Sequence, residues 1–330
     1  MGRITQKLKV GVRGSLDVVI EKTSVSPGGT LSGLVRLHAD KPIVTHGLDV
    51  VFAGRERLEW DELNDDPGHP HNEKSVVHED KMALLDSPGT GNTARTLEAG
   101  VHEYPFTFQI PQRLPESFTY TAKRIQGMDR VFIAVVYDVT ASLLVDGFLK
   151  ADLECIVPIE VRADSPQIHH CESFTTFKSD ETKLLGIIKK GACDVILNVR
   201  ANVLDATSTI VAHVDVSHSS NRELKSLKLS LVEDIEIDRK CYKTIRTGSR
   251  VLCSRFFEKR TLEAMATDTI SSFALELPVT PNDVYGVEPL LPSMNSHFIV
   301  SLRYRVVLEC KFPLSRRIEV DAPVTFVRTS

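Results

Sequence analysis

Apolar and polar residues alternate with a period of two along most of the chain, and that period predicts strands with one buried face. Leu8, Val10 and Val12 alternate with Lys7, Lys9, Gly11 and Arg13. Leu31, Gly33, Val35 and Leu37 form a second run, and Leu48, Val50 and Phe52 a third. The later half keeps the habit through Ile210 to Val216, Leu227 to Leu231 and Phe298 to Val306. Turn chemistry separates the runs, as in Ser26-Pro-Gly-Gly29 and Asp86-Ser-Pro-Gly89. No long helical stripe competes; the nearest, around Lys183 to Lys190, is short and ends at Gly191. The chain reads as all-β, built from sandwiches or barrels.

The pattern also repeats. Shifted by 179 residues, Leu31, Gly33, Val35 and Leu37 meet Ile210, Ala212, Val214 and Val216, and Leu48, Val50 and Phe52 meet Leu227, Leu229 and Leu231. Shifted by 167, Phe106-x-Phe-x-Ile-Pro111 meets Phe273-x-Leu-x-Leu-Pro278, and Tyr137 meets Tyr304. The first copy therefore holds 12 extra residues, expected in the polar stretch from Asp61 to Thr96. We expect two tandem immunoglobulin-like β-sandwich domains, over residues 1–163 and 173–330, joined by a linker at 164–172.

Composition narrows the class. The 330 residues suit about two domains, and 42% hydrophobic with 25% charged residues argues against a disordered chain. A formal charge of −4 excludes a generally basic nucleic-acid binder. No apolar run approaches the ~18 residues that span a bilayer, and Met1-Gly-Arg-Ile-Thr-Gln-Lys7 has no signal core. Six cysteines in irregular positions, none in a Cys-x-x-Cys pair, suit reduced thiols in a cytoplasmic protein.

Several phrases carry a resemblance. They are Ser24-Val-Ser-Pro-Gly-Gly-Thr-Leu-Ser-Gly33, Leu48-Asp-Val-Val-Phe-Ala-Gly54, and Gly100-Val-His-Glu-Tyr-Pro-Phe-Thr-Phe-Gln-Ile-Pro111 followed by Leu114-Pro-Glu-Ser-Phe118. Looser matches are Gly191-Ala-Cys-Asp-Val-Ile-Leu-Asn-Val199 and Leu224-Lys-Ser-Leu-Lys-Leu-Ser-Leu231. Together they resemble the arrestin superfamily, and the α-arrestins most of all. The resemblance implies the arrestin fold and a non-enzymatic adaptor that binds cytoplasmic regions of membrane proteins. Such an adaptor would couple tails or transporters to endocytosis, sorting or ubiquitination, with recruitment to the plasma membrane or endosomes. A constitutive scaffold in a retromer-like trafficking complex is the alternative.

The sequence departs from the family in three places. Val203-Leu-Asp-Ala-Thr-Ser208 replaces a Pro-Gly turn in the second domain. Val157-Pro-Ile-Glu-Val161 lacks the arginine with which visual and β-arrestins build a phosphate-opened latch. No Pro-Pro occurs, so the resemblance implies a WW-domain ubiquitin ligase only through a tail outside these residues.

No catalytic or metal centre is expected, and no cofactor. Gly186-Ile-Ile-Lys-Lys-Gly191 has the glycines of a P-loop, but Ala192-Cys193 stands where Lys-Ser/Thr is needed. Gly-x-Ser-x-Gly and His-Glu-x-x-His are both missing. His69-Pro-His71 and His169-His-Cys171 read as solvated loop rather than metal ligands. Trp60 is expected to pack over a sheet edge.

Charge clusters are the remaining chemistry. Eight basic residues against the single acid Glu258 lie between Arg239 and Arg260, beside a hairpin expected around Thr247-Gly248-Ser249. Arg239, Lys240, Lys243, Arg246 and Arg250 are candidates for binding a phosphorylated tail or anionic lipid. At the N-terminus Lys7, Lys9 and Arg13 are candidates of the same kind, and the resemblance singles out Lys9. Met1-Gly2 falls short of a myristoylation signal, since Gln6 stands where Ser or Thr is wanted.

Overall fold

The computed structural model describes residues 5–6, 14–62, 71–85, 94–125, 128–146, 152–162, 171–184, 188–218, 224–265, 271–279, 290–313 and 317–328. The chain divides into two compact units. The first holds Met1–Trp60, Pro70–Tyr120 and Phe132–Ser165; the second holds Asp61–His69, Thr121–Val131 and Pro166–Ser330.

Eleven strands make up the first part of the chain. They are β1 (Thr5–Gln6), β2 (Gly14–Ile20), β3 (Ser24–Val25), β4 (Thr30–Ala39), β5 (Ile43–Glu62), β6 (His71–Leu85), β7 (Arg95–Leu97), β8 (Gly100–Gln109), β9 (Phe118–Ile125), β10 (Met128–Val145) and β11 (Leu153–Val161). One sheet runs β1-β11-β10-β5-β6 and the other β2-β4-β8. Alternation buries one side of each. Leu31, Val35 and Leu37 face Leu48, Val50 and Phe52 across a core in which the Phe52 and Phe108 rings lie 6.1 Å apart. Pro105 sits on β8, an edge strand, where its missing N–H breaks no ladder.

The second part repeats this plan. Its strands are β12 (Phe174–Leu184), β13 (Ile188–Val199), β14 (Val203–Leu204), β15 (Thr209–His218), β16 (Ser226–Arg239), β17 (Thr244–Glu258), β18 (Ser271–Pro278), β19 (Ile299–Lys311) and β20 (Ile318–Phe326). Their sheets run β12-β13-β15-β18 and β14-β20-β19-β16-β17. Strand for strand, β11-β10-β5-β6 corresponds to β20-β19-β16-β17. In each part a two-residue strand pairs in parallel with the last strand, Ser24 with Glu160 and Val203 with Thr325. The expected tandem β-sandwich is the observed fold.

Equivalent positions solve the same problem differently. After β3, the turn Ser26-Pro-Gly-Gly29 closes by Gly29 N–H donating to Ser26 C=O at 2.9 Å, with Gly28 at φ +83°, a left-handed conformation that suits glycine. After β14, Asp205-Ala-Thr-Ser208 closes by Ser208 N–H donating to Asp205 C=O at 3.2 Å. Here the Asp205 carboxylate supplies the restraint. It accepts from Thr207 N–H at 2.9 Å, Thr207 Oγ1 at 2.8 Å and Ser208 Oγ at 2.8 Å.

Two long cationic side chains close the flanks of the second sandwich. Lys178 on β12 donates to the Glu319 carbonyl of β20 at 2.8 Å, and Arg255 on β17 donates to the Glu276 carbonyl of β18 at 3.1 Å.

Three expectations need correction. The polar stretch after Asp61 is not all insertion: His71–Leu85 is strand β6, paired with β5 from Leu48–Leu85 to Trp60–His71. As an edge strand it buries only Glu73 of its fifteen side chains, so its polar composition hid it. The hairpin of the basic run turns at a 3₁₀ segment, Lys240–Tyr242, which Lys243 ends at φ 50°. Gly248 instead lies mid-strand opposite Ile235, where a Cβ would come within 2.9 Å of Ile125. Finally, Val300 faces solvent while Ile299 and Leu302 are buried, because the β16–β19 register slips between Glu236 and Ile237.

Candidate partner-binding surface

Strands β16 and β17 place the basic run. Arg239 stands opposite Thr244, Ile237 opposite Arg246, and Glu233 opposite Arg250. Residues directly opposite share a face, and this face is the buried one, since Glu233, Ile235, Ile237 and Arg239 are all buried. The five candidates therefore separate.

Arg239 is an interior group. Only 3% exposed, it ion-pairs with Glu62, donates to Thr244 Oγ1, and lies over the Tyr242 ring. Arg250 is likewise engaged. Its Nε stands 2.6 Å from Glu233 Oε1, its Nη2 donates to Glu233 Oε2 at 3.0 Å, and Nη1 reaches the Thr121 carbonyl. Glu233 is 1% exposed, and its Oε2 lies 3.3 Å from the Tyr304 hydroxyl oxygen. A buried carboxylate demands such partners, so these arginines follow from the acids they face.

Lys240, Lys243 and Arg246 are the accessible members. Lys240 is exposed and pairs with Asp238; Lys243 is exposed at the turn; Arg246 is half-buried on β17. Lys7, Lys9 and Arg13 lie outside the described residues, as do His69, His169 and His170.

The opposite face of the same strands is also charge-balanced. Asp234 accepts from Ser249 and from Arg305, whose Nε lies 2.7 Å away. The hydrogen bond to Asp234 holds the Arg305 guanidinium above its ordinary pKa. Below it, burial raises the Glu309 carboxyl, but hydrogen bonds from Lys228 at 3.0 Å and Arg317 at 2.7 Å outweigh that and leave it below its ordinary value.

What the basic run lacks in open charge it offers in apolar surface. Tyr242, Ile245, Val251 and Phe256 are all exposed along the turn and β17. Sequence reading missed both these side chains and the carboxylates Glu62 and Glu233. Alternation would have paired Glu233 with Arg250 had the turn been set at Cys241–Lys243 rather than at Gly248.

Other sequence candidates fall into the scaffold. Trp60 is buried in the core, 1% exposed, with its ring stacked 5.2 Å from His71. Arg162 pairs with Glu160 on the surface, just past β11. Among the described residues no group of three or more His, Cys, Asp or Glu is arranged to hold a metal ion. No described helix is long and apolar enough to cross a membrane.

Residues 16–143, from β2 through most of β10, match the family of the arrestin (or S-antigen) N-terminal domain. The first sandwich is thus similar to arrestin N-terminal domains. The similarity continues through the second sandwich. Arrestin domain-containing protein A of Dictyostelium discoideum is 22% identical over 325 residues, 95% of this chain and 51% of that protein. Arrestin domain-containing protein 4 of Mus musculus is 23% identical over 338 residues, 95% of this chain and 72% of that protein. The chain thus spans about half the length of the Dictyostelium relative. The quoted phrases fall on its main structural features: Phe106 and Phe108 in the core, Gly28 in the left-handed turn, Gly54 against a core ring.

Proposed function

We propose that this chain is a non-catalytic adaptor that binds cytoplasmic regions of membrane proteins and couples them to endocytosis, sorting or ubiquitination. The observation that carries the reading is the match of residues 16–143 to the arrestin N-terminal domain, extended across both sandwiches by arrestin domain-containing relatives. The expected location is the cytoplasm, with recruitment to the plasma membrane or endosomes. A ubiquitin ligase and anionic lipid are partners within this reading.

The physical means is surface recognition. Sheet edges offer main-chain groups to an extended segment, and cationic side chains add affinity for anions. Lys240, Lys243 and Arg246 are the members of the basic run assigned this role, with Lys7, Lys9 and Arg13 as sequence-level candidates beside them. Arg239 and Arg250 are assigned a structural role instead.

Proximity labelling from the chain in living cells tests the proposal. Enrichment of membrane receptors or transporters over a scrambled-surface control supports it. Recovery of one stoichiometric soluble complex, independent of cargo, replaces it with a scaffold function.

A further inference from the structure

The core of the second sandwich holds two neighbouring thiols. Cys193 lies on β13 and Cys310 on β19, strands of opposite sheets, and both are buried with no exposed surface. Both are thiols rather than half of a disulfide. Burial, and then the nearby Cys193, raises the Cys310 thiol above its ordinary pKa. In the first sandwich Cys155 instead accepts a hydrogen bond from the Val18 backbone.

The two sheets converge beside this pair. Cα atoms of β13 and β20 approach within 8 Å, whereas packed sheets ordinarily stand about 10 Å apart. Along the same seam Lys178 of β12 donates to the Glu319 carbonyl of β20 at 2.8 Å. Register carries that closeness inward. Lys178 pairs with Val195, two residues from Cys193, and Glu319 follows Ile318, which pairs with Cys310. A disulfide needs Cα atoms about 4.4–6.8 Å apart, a span that ordinary sheet spacing denies and a pinched seam brings within reach.

The repeated fold does not call for thiols at these positions. Cys193 stands opposite His218 on β15 as Gly14 stands opposite Ala39 on β4, so glycine fills the equivalent place in the first sandwich. Cys310 lies six residues after Tyr304, where the first copy has Leu143 six residues after Tyr137. The pair belongs to the second sandwich alone.

We propose that Cys193 and Cys310 form a disulfide across this core when the second sandwich folds, or reopens, in contact with a small disulfide oxidant such as glutathione disulfide. One cysteine thiolate attacks the oxidant's S–S bond, and a glutathione thiolate leaves with the electron pair. The second cysteine thiolate attacks the resulting mixed disulfide and releases the second glutathione. Two cysteine thiols are thereby oxidised, one glutathione disulfide is reduced to two thiols, and the cysteine protons end on those thiols. Burial keeps both sulfurs from the oxidant in the closed sandwich, so the bond forms during folding or opening and then locks the seam. The staple is independent of the adaptor reading.

Refolding the full chain, with Cys171→Ser and Cys241→Ser to remove the exposed thiols, from urea into a glutathione redox buffer tests it. Non-reducing peptide mapping by mass spectrometry should find Cys193 joined to Cys310, with Cys155 and Cys253 still reduced. The crosslink closes a long loop, so the urea midpoint of the second sandwich should rise by roughly 1–2 M and fall back with dithiothreitol. Cys310→Ala, or Cys193→Ala should that chain fail to refold, should lose both the linked peptide and the rise. Cys155→Ala should keep both. Absence of the Cys193–Cys310 peptide, a different pairing in its place, or an oxidised chain no more stable than the reduced one overturns the proposal.

Discussion

The backbone of Gly54 on β5 lies against the ring of Tyr137 on β10, so close that a Cβ at position 54 would overlap ring carbons. The Tyr137 ring is fixed on its other sides. It stacks 5.7 Å from Phe52, and its hydroxyl donates to the Pro115 carbonyl at 2.7 Å. Burial pushes its phenol well above the ordinary pKa, and the Glu56 charge adds to that. Gly54→Ala should therefore destabilise the protein by about 1–3 kcal/mol through overpacking. Urea denaturation followed at a first-sandwich probe would check this; an unchanged midpoint would refute the packing argument.

Tyr304 repeats the arrangement in the second sandwich. Its hydroxyl donates to the Leu291 carbonyl at 2.6 Å, and its ring lies 4.9 Å from Phe326. Tyr137→Phe and Tyr304→Phe should each cost about 1 kcal/mol, with unchanged denaturant slope, since each removes a buried hydrogen bond without a cavity.

Arg250 and Lys243 belong to one basic run but should behave oppositely. Arg250→Ala leaves Glu233 buried beside fewer donors and should cost about 3 kcal/mol. Lys243→Ala should fall within about 0.5 kcal/mol of the parent. Adding Glu233→Gln to Arg250→Ala should recover part of the loss, which a thermal melt can read.

Asp205 gives a pH signature. Hydrogen bonds from Ser208, then from Thr207, hold its carboxyl below the ordinary value despite some burial. A depressed folded-state pKa contributes stability above the unfolded value of about 3.9, and that contribution disappears as pH falls through the folded one. The parent should exceed Asp205→Ala in stability at neutral pH, and the gap should close in acid. Paired melts across that range would show it; a constant gap would sink the turn argument.

Thiol chemistry offers a fifth check. Cys171 and Cys241 are exposed, while Cys155, Cys193, Cys253 and Cys310 are buried, and burial raises the thiols of Cys155 and Cys310. Native alkylation followed by mass spectrometry should mark the first two quickly and the other four only after unfolding.

Alternation made most of the fold readable. Leu31, Val35 and Leu37 and their partners at Ile210, Val214 and Val216 are buried as a period of two requires. β6 escaped because an edge strand needs little apolar surface, so His71–Leu85 looked like a loop. The β16–β17 turn escaped because Gly248 signals a bend, whereas the real reversal uses Lys243 at positive φ, which no composition rule favours. Charge clustering located the basic run but could not sort it. Burial of Arg239 depends on Glu62, far away in sequence, and long-range ion pairs leave no periodic trace.

The clasps from Lys178 and Arg255 have a mechanical implication. Each joins two sheets through a single solvent-exposed bond from a flexible side chain to a main-chain oxygen, worth at most about 1 kcal/mol. A seam held so lightly parts without unravelling either ladder. Small excursions at the rim, rather than global unfolding, are then the cheapest way for the second sandwich to rearrange.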